Sequence, residues 1–130
     1  MRALTVRGFN GWDDWQLEEA PMPEPGEGQV LVQVEASAPS FVDLLYARGG
    51  YQLRPTLPLI PGSEICGRIV RGGPGVPGHL GPGTRVVGMV FGGAWADAVC
   101  ARVHQICPVS LQTDPRCAAA LAAPYGTAHY

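Results

Sequence analysis

Gln29-Val30-Leu31-Val32-Gln33-Val34-Glu35-Ala36-Ser37 is the plainest strand in this chain, and the rest of its architecture reads outward from it. Val30, Val32 and Val34 fall on one face while Gln33 and Glu35 fall on the other, the two-residue period of a half-buried strand. On the N-terminal side, Pro21-Met22-Pro23-Glu24-Pro25-Gly26-Glu27-Gly28 forbids helix and reads as a surface connector. Before that connector, residues 1–7 alternate, with Leu4 and Val6 opposed to Ala3, Thr5 and Arg7, and residues 15–20 can pair beside them. On the C-terminal side, residues 65–71, 84–90 and 94–103 are further strand candidates, each bounded by Gly or Pro. The 18 glycines and 13 prolines punctuate short strands, the pattern of a β-rich domain with many turns.

Two segments predict helix. Residues 40–48 open with Ser40 and place Asp43 three positions on, the spacing of a capping box ahead of Leu44-Leu45. Residues 114–123 carry Asp114 as cap, Pro115 in the first turn and the run Cys117-Ala118-Ala119-Ala120-Leu121-Ala122-Ala123, with Pro124 expected to end the helix. Tyr125-Gly126-Thr127-Ala128-His129-Tyr130 then reads as the beginning of another.

At 130 residues the chain is the size of one domain, able to bury a core without disulfides or metal. Hydrophobic residues make up 46% and charged residues 15%, a globular composition. All 9 basic residues are arginines scattered singly, and the net charge is −2, which argues against a nucleic-acid partner. The opening residues hold no apolar run of signal-peptide type, and no stretch reaches the ~20 apolar residues of a membrane span. These readings predict a cytoplasmic protein. Cys66, Cys100, Cys107 and Cys117 form no C-x-x-C pair and are expected to be buried, reduced thiols.

Several motifs invite chemistry and are outweighed. Gly73-Pro74-Gly75-Val76-Pro77-Gly78 spells G-x-G-x-x-G, but a dinucleotide site needs a helix to follow. Pro77, Gly81, Pro82 and Gly83 prevent one, so the segment is predicted to be a loop. Cys100, His104 and Cys107 could be taken as a metal set, yet strand alternation turns 107 away from the other two, and zinc needs four converging ligands. His79 and His129 lack a neighbour suited to a catalytic dyad and are predicted to be solvated. The Trp12/Trp15 pair is read as packing at a strand edge rather than a ligand platform.

Three segments taken in order resemble the N-terminal domain of the medium-chain dehydrogenase/reductase superfamily, in its quinone oxidoreductase (zeta-crystallin-like) branch. The first is Val34-Glu35-Ala36-Ser37-Ala38-Pro39-Ser40-Phe41-Val42-Asp43-Leu44-Leu45, followed by Arg48-Gly49-Gly50-Tyr51. The second is Leu57-Pro58-Leu59-Ile60-Pro61-Gly62-Ser63-Glu64-Ile65-Cys66-Gly67-Arg68-Ile69-Val70. The third is Gly93-Ala94-Trp95-Ala96-Asp97, with Ala118-Ala119-Ala120-Leu121 and Gly126-Thr127-Ala128-His129-Tyr130 after it; Gly81-Pro82-Gly83-Thr84-Arg85-Val86 resembles the family's G-D-R-V turn.

The resemblance implies a mainly β fold, a GroES-like bent and partly open β-barrel with a few short helices. It divides the chain into a GroES-like catalytic domain over residues 1–123 and, over 124–130, the start of a helix leading to a Rossmann domain expected to lie beyond Tyr130. In zinc-dependent relatives a cysteine would stand at Ser40 and a histidine at Ser63. Hydroxyls are poor zinc ligands, so the zinc-independent branch is expected, with no metal. The branch usually has Asn at Ser40. By resemblance Ser40, Tyr51, Ser63 and Thr127 contact the cofactor, NADPH, and Tyr51 is the candidate proton donor.

The implied activity of the complete protein is hydride transfer from NADPH to a quinone or enone small molecule, with the isolated chain expected to be inactive because the Rossmann domain carries the phosphate contacts. The alternative is a free-standing GroES-like module that forms a homodimer or docks to a Rossmann domain in trans through residues 117–128, or a trans-acting enoyl reductase part. Co-chaperonin action ranks below both.

Overall fold

In the computed structural model, which describes residues 1–129, β3 (Gln29–Ala38) runs through the protein's larger sheet. Antiparallel partners flank it on both sides, β4 (Glu64–Gly72) and β6 (Ala98–Arg102). β5 (Arg85–Met89) and the short β7 (Ile106–Pro108) extend the sheet beyond β4, giving the order β6-β3-β4-β5-β7. Val30 and Val32 enter the core as their alternation predicts, packing with Ile65, Ile69, Val86, Val99 and Ala101. Leu31, on the other face of the same strand, is buried as well.

β1 (Arg2–Val6) and β2 (Trp15–Glu19) form a separate antiparallel hairpin, with Arg2 opposite Glu19 and Val6 opposite Trp15. Single bridges from Ala3 to Ala96 and from Val6 to Leu59 tie the hairpin to the loops around the larger sheet. The β3–β4 register slips between Leu31 and Val32 and again between Val34 and Ala36. Such bulges increase local twist and bend a sheet, and here the two sheets stay unclosed.

α1 (Phe41–Ala47) starts where the sequence places it. The Ser40 Oγ accepts a hydrogen bond from the Asp43 N–H at 3.2 Å, and the Asp43 carboxylate accepts the Ser40 N–H at 2.9 Å. α2 (Pro115–His129) packs across β3, β4 and β5. Asp114 caps it by accepting the Arg116 N–H at 2.9 Å. No helix among the described residues is long and apolar enough to cross a membrane.

Four expectations need correction. Pro124 does not end a helix, because α2 continues through it to His129. A proline removes the one N–H that would have bonded the carbonyl four residues back, and that residue, Ala120, is exposed, so water can satisfy it. The reading of residues 125–130 as a separate helix fails for the same reason, and its last residue, Tyr130, lies outside the described residues. The predicted strand over 94–103 is strand only from Ala98, because the preceding backbone bonds elsewhere: Ala94 to Gly62, Trp95 to Pro61 and Leu4, Asp97 to Arg2. Of the cysteines, Cys66 is buried and Cys100 half-buried, but Cys107 and Cys117 are exposed, one on the outermost strand and one on the solvent side of α2.

The glycine-rich decoy is a loop followed by a three-residue turn, Gly78–Leu80, whose Leu80 plugs the core. Cys100 and Cys107 sit on β6 and β7, the two outer strands of the sheet. Among the described residues no three His, Cys, Asp or Glu side chains are grouped to hold a metal ion. His79 and His129 are exposed. Trp15 packs between Trp12 and Trp95, with ring centroids 4.7 and 6.1 Å away, while Trp12 itself remains 66% exposed.

Candidate functional site

A cleft of about 570 Å³ opens where α1, the start of β4, the end of β5 and the far end of α2 meet. Ser40, Tyr51, Ser63 and Thr127 all line it, so four residues spread over most of the chain converge on one cleft. Ser40 serves two purposes there. Its hydroxyl caps α1 and its side chain also borders the cleft. Tyr51 follows α1 in a loop and meets Tyr46 edge-on, with 6.5 Å between ring centroids. Thr127 lies in the last turns of α2.

Ser63 immediately precedes β4, and its Oγ donates a 2.7 Å hydrogen bond to Asp43 Oδ1. Asp43 is therefore a hub. One carboxylate oxygen holds the Ser63 hydroxyl and the other the Ser40 amide, while its own N–H binds the Ser40 hydroxyl. Such buried, mutually satisfied polar groups are rigid because each breakage would strand another partner. At Gly62 the backbone takes φ +94°, and an added Cβ would come within 2.3 Å of Trp95 Cδ1. Only glycine lets the chain turn there and deliver Ser63 to Asp43.

Sequence reasoning passed over two acids of the cleft, Asp43 and Glu64, each 4% exposed. Asp43 had been read only as half of a cap. Glu64 carried a signal in its place at the head of an apolar strand: Ile65, Cys66, Gly67 and Ile69 follow it into the core. Burial pushes the Glu64 carboxyl above the usual range, the Ala123 amide pulls it back, and the nearby Asp43 charge raises it further. The remaining wall is apolar, with Val42, Met89, Val90 and Phe91. Phe91 of the lining is 81% exposed, and Phe41 and Tyr125, within two residues of lining residues in sequence, are 74% and 69% exposed.

The lining contains no arginine or lysine. Apolar walls with a few convergent hydroxyls suit a flat, uncharged ring, and nothing in the lining neutralises phosphate.

The sequence profile of the alcohol dehydrogenase GroES-like domain matches residues 26–113. The chain belongs to that family. Among curated relatives, the GroES-like domain is 36% identical over 104 residues to the synaptic vesicle membrane protein VAT-1 homolog-like of Mus musculus, covering 80% of this chain and 25% of the relative. A mycobacterial quinone oxidoreductase of known structure superposes with a TM-score of 0.91 at 32% identity, over 100% of this chain and 40% of that one. A mycobacterial protein solved in complex with NADPH gives 0.92 at 32% identity, over 100% and 40%. The GroES-like domain thus spans about a quarter of the curated relative's length. Its unclosed, mainly β architecture is that of the N-terminal domains of medium-chain dehydrogenases/reductases, and the relatives place it in an oxidoreductase superfamily.

Proposed function

We propose that this chain is the N-terminal catalytic domain of a zinc-independent, NADPH-dependent oxidoreductase acting on quinones or enones. The convergence of Ser40, Tyr51, Ser63 and Thr127 on one apolar cleft carries the reading. When bound, NADPH supplies a hydride to an acceptor carbon. The chain's own part is to seat the ring and the acceptor against Val42, Met89 and Phe91, to keep water away, and to orient both through hydroxyls. Tyr51 borders the cleft with a phenol that can donate a proton to an acceptor oxygen.

Zinc independence rests on the donors. Where zinc-dependent relatives would place a thiolate and an imidazole, this chain has two hydroxyls already engaged with Asp43. The exposed aromatics Phe91 in the lining and Phe41 and Tyr125 near lining residues in sequence support a Rossmann domain packing there, in cis or in trans.

NMR titration of the chain with reduced nicotinamide mononucleotide and with NADPH tests this. Both should move the amides of Ser40, Tyr51, Ser63 and Thr127 by similar amounts and with similar, weak affinity. Shifts elsewhere on the surface, or none as the ligand approaches its solubility limit, would sink the proposal.

A further inference from the structure

Glu64 and Asp43 are two acids of one cleft with opposite surroundings. Both Asp43 carboxylate oxygens accept hydrogen bonds, from the Ser40 amide and the Ser63 hydroxyl. Glu64 has one donor only, the Ala123 N–H, which reaches Oε2 at 3.4 Å from α2. Its Oε1 has no partner among the described residues, yet it is not among the buried atoms left without one. Glu64 lines the cleft, and Oε1, unbonded among the described residues and not fully buried, is the oxygen left to face it. Because the amide occupies Oε2, a proton on this carboxyl resides on Oε1.

The elements around Glu64 offer nothing to compensate a negative charge. α1 presents Asp43, itself an anion, and α2 presents only the Ala123 amide. On β3 and β5 the residues opposite are Ala38 and Met89. Tyr46 and Tyr51 are the other ionisable groups of the lining, which holds no histidine or arginine. Two carboxyls so unequally provided for divide their roles, one staying an acceptor and the other keeping a proton to donate.

We propose that Glu64 is the acceptor-binding group of this cleft, its protonated Oε1 donating a hydrogen bond to a carbonyl-type oxygen of the ligand. The assignment rests on the oxidoreductase reading and extends it from the ring-seating hydroxyls to the group that holds the acceptor. It also selects the ligand class. An uncharged quinone or enone oxygen can accept from Oε1, whereas a carboxylate or phosphate would meet two acids and no cation.

Tetramethylbenzoquinone, whose ring positions are blocked against thiol addition, is a suitable probe for titration of the chain followed by NMR at pH 5 and pH 8. The wild type should bind at least several-fold more weakly at pH 8. Glu64→Gln, whose amide donates at every pH, should bind with an affinity independent of pH, and Glu64→Ala should bind weakly at both. Quinone binding by the wild type that ignores pH, or by Glu64→Ala with wild-type affinity, overturns the assignment and leaves the oxidoreductase reading standing. Failure of the wild type to bind the quinone at either pH overturns both.

Glu64 also has a ligand-free readout. A carboxyl raised in the folded protein contributes stability that is present below its unfolded value of about 4.5 and is lost as pH rises through the folded value. The midpoint of thermal unfolding of Glu64→Gln relative to wild type should therefore rise by a few degrees between pH 4 and pH 8. Should that variant not fold, the Ala123 amide shift in the wild type reports the same titration. A flat Ala123 shift above pH 4.5 overturns the assignment.

Discussion

Gly62 and Asp43 show how little freedom single positions around the cleft retain. Gly62→Ala both forces a side chain into φ +94° and drives Cβ into the Trp95 indole. The expected cost is about 2–4 kcal/mol, measured by urea unfolding, because strain and overpacking act together. Asp43→Ala strands the Ser63 hydroxyl and removes half of the α1 capping box, and should cost about 2–3 kcal/mol. At this scale the sequence was informative about pairs close in the chain and silent about pairs far apart. Ser40 and Asp43, three apart, announce their cap. The bond from Ser63 to Asp43 joins residues 20 apart, and no local pattern records it. Glu64 escaped notice because a strand's first residue is ordinarily wet, whereas here β3, β5 and the Ala123 amide of α2 enclose it.

Between elements, Arg85 fastens the approach to α2 to the sheet. Its 6% exposed side chain bonds Glu35 Oε2 at 2.8 Å through Nε and the Leu111 and Thr113 carbonyls through Nη1. Arg85→Met should cost about 2–4 kcal/mol, since it strips the Leu111 and Thr113 carbonyls of their donor and leaves Glu35 with Arg68 alone. The loss should appear in amide exchange first over residues 109–114, then along α2. Arg116, beside Asp114, holds that carboxyl down to about 2, below its ordinary 3.8. A depressed carboxyl stabilises above its unfolded value and loses that contribution as pH falls toward the folded one. Helical circular dichroism from α2 should therefore weaken as pH falls from about 3.8 toward about 2, and Asp114→Asn should abolish that acid step. β1 and β3 were legible because apolar and polar residues alternate in them, β2 as a segment able to pair beside β1, and β4 and β5 as strand candidates bounded by Gly or Pro. β7 was not, since three residues ending in Pro108 are too few to show a period. α2 was misjudged at Pro124 because a proline rule written for buried helix interiors was applied where Ala120 faces water.

For the whole molecule, the absence of Arg, Lys and His from the cleft's lining bounds how tightly it can hold an anionic ligand. Calorimetric titration of this chain with NADPH should give a Kd weaker than millimolar and no turnover with a quinone. Micromolar binding would show that phosphate groups are recognised somewhere on the domain itself. The architecture was legible as a succession of segments, each short and weak alone, whose order matched one domain family. Their packing was not, because the hairpin β1–β2 joins the rest through bridges at Ala96 and Leu59 that alternation cannot foresee.

α2 roofs the sheet with Ala119 and walls the cleft with Ala123 and Thr127, so one helix belongs to both the core and the binding surface. Occupancy and unfolding are then competing fates of the same segment. A ligand held there stabilises the fold by mass action, by about 2.7 kcal/mol at a hundred times its Kd, and so raises the melting point. Thermal shift against a panel of small uncharged carbonyl compounds can thus rank acceptors without any catalytic turnover, using the helix as its own reporter.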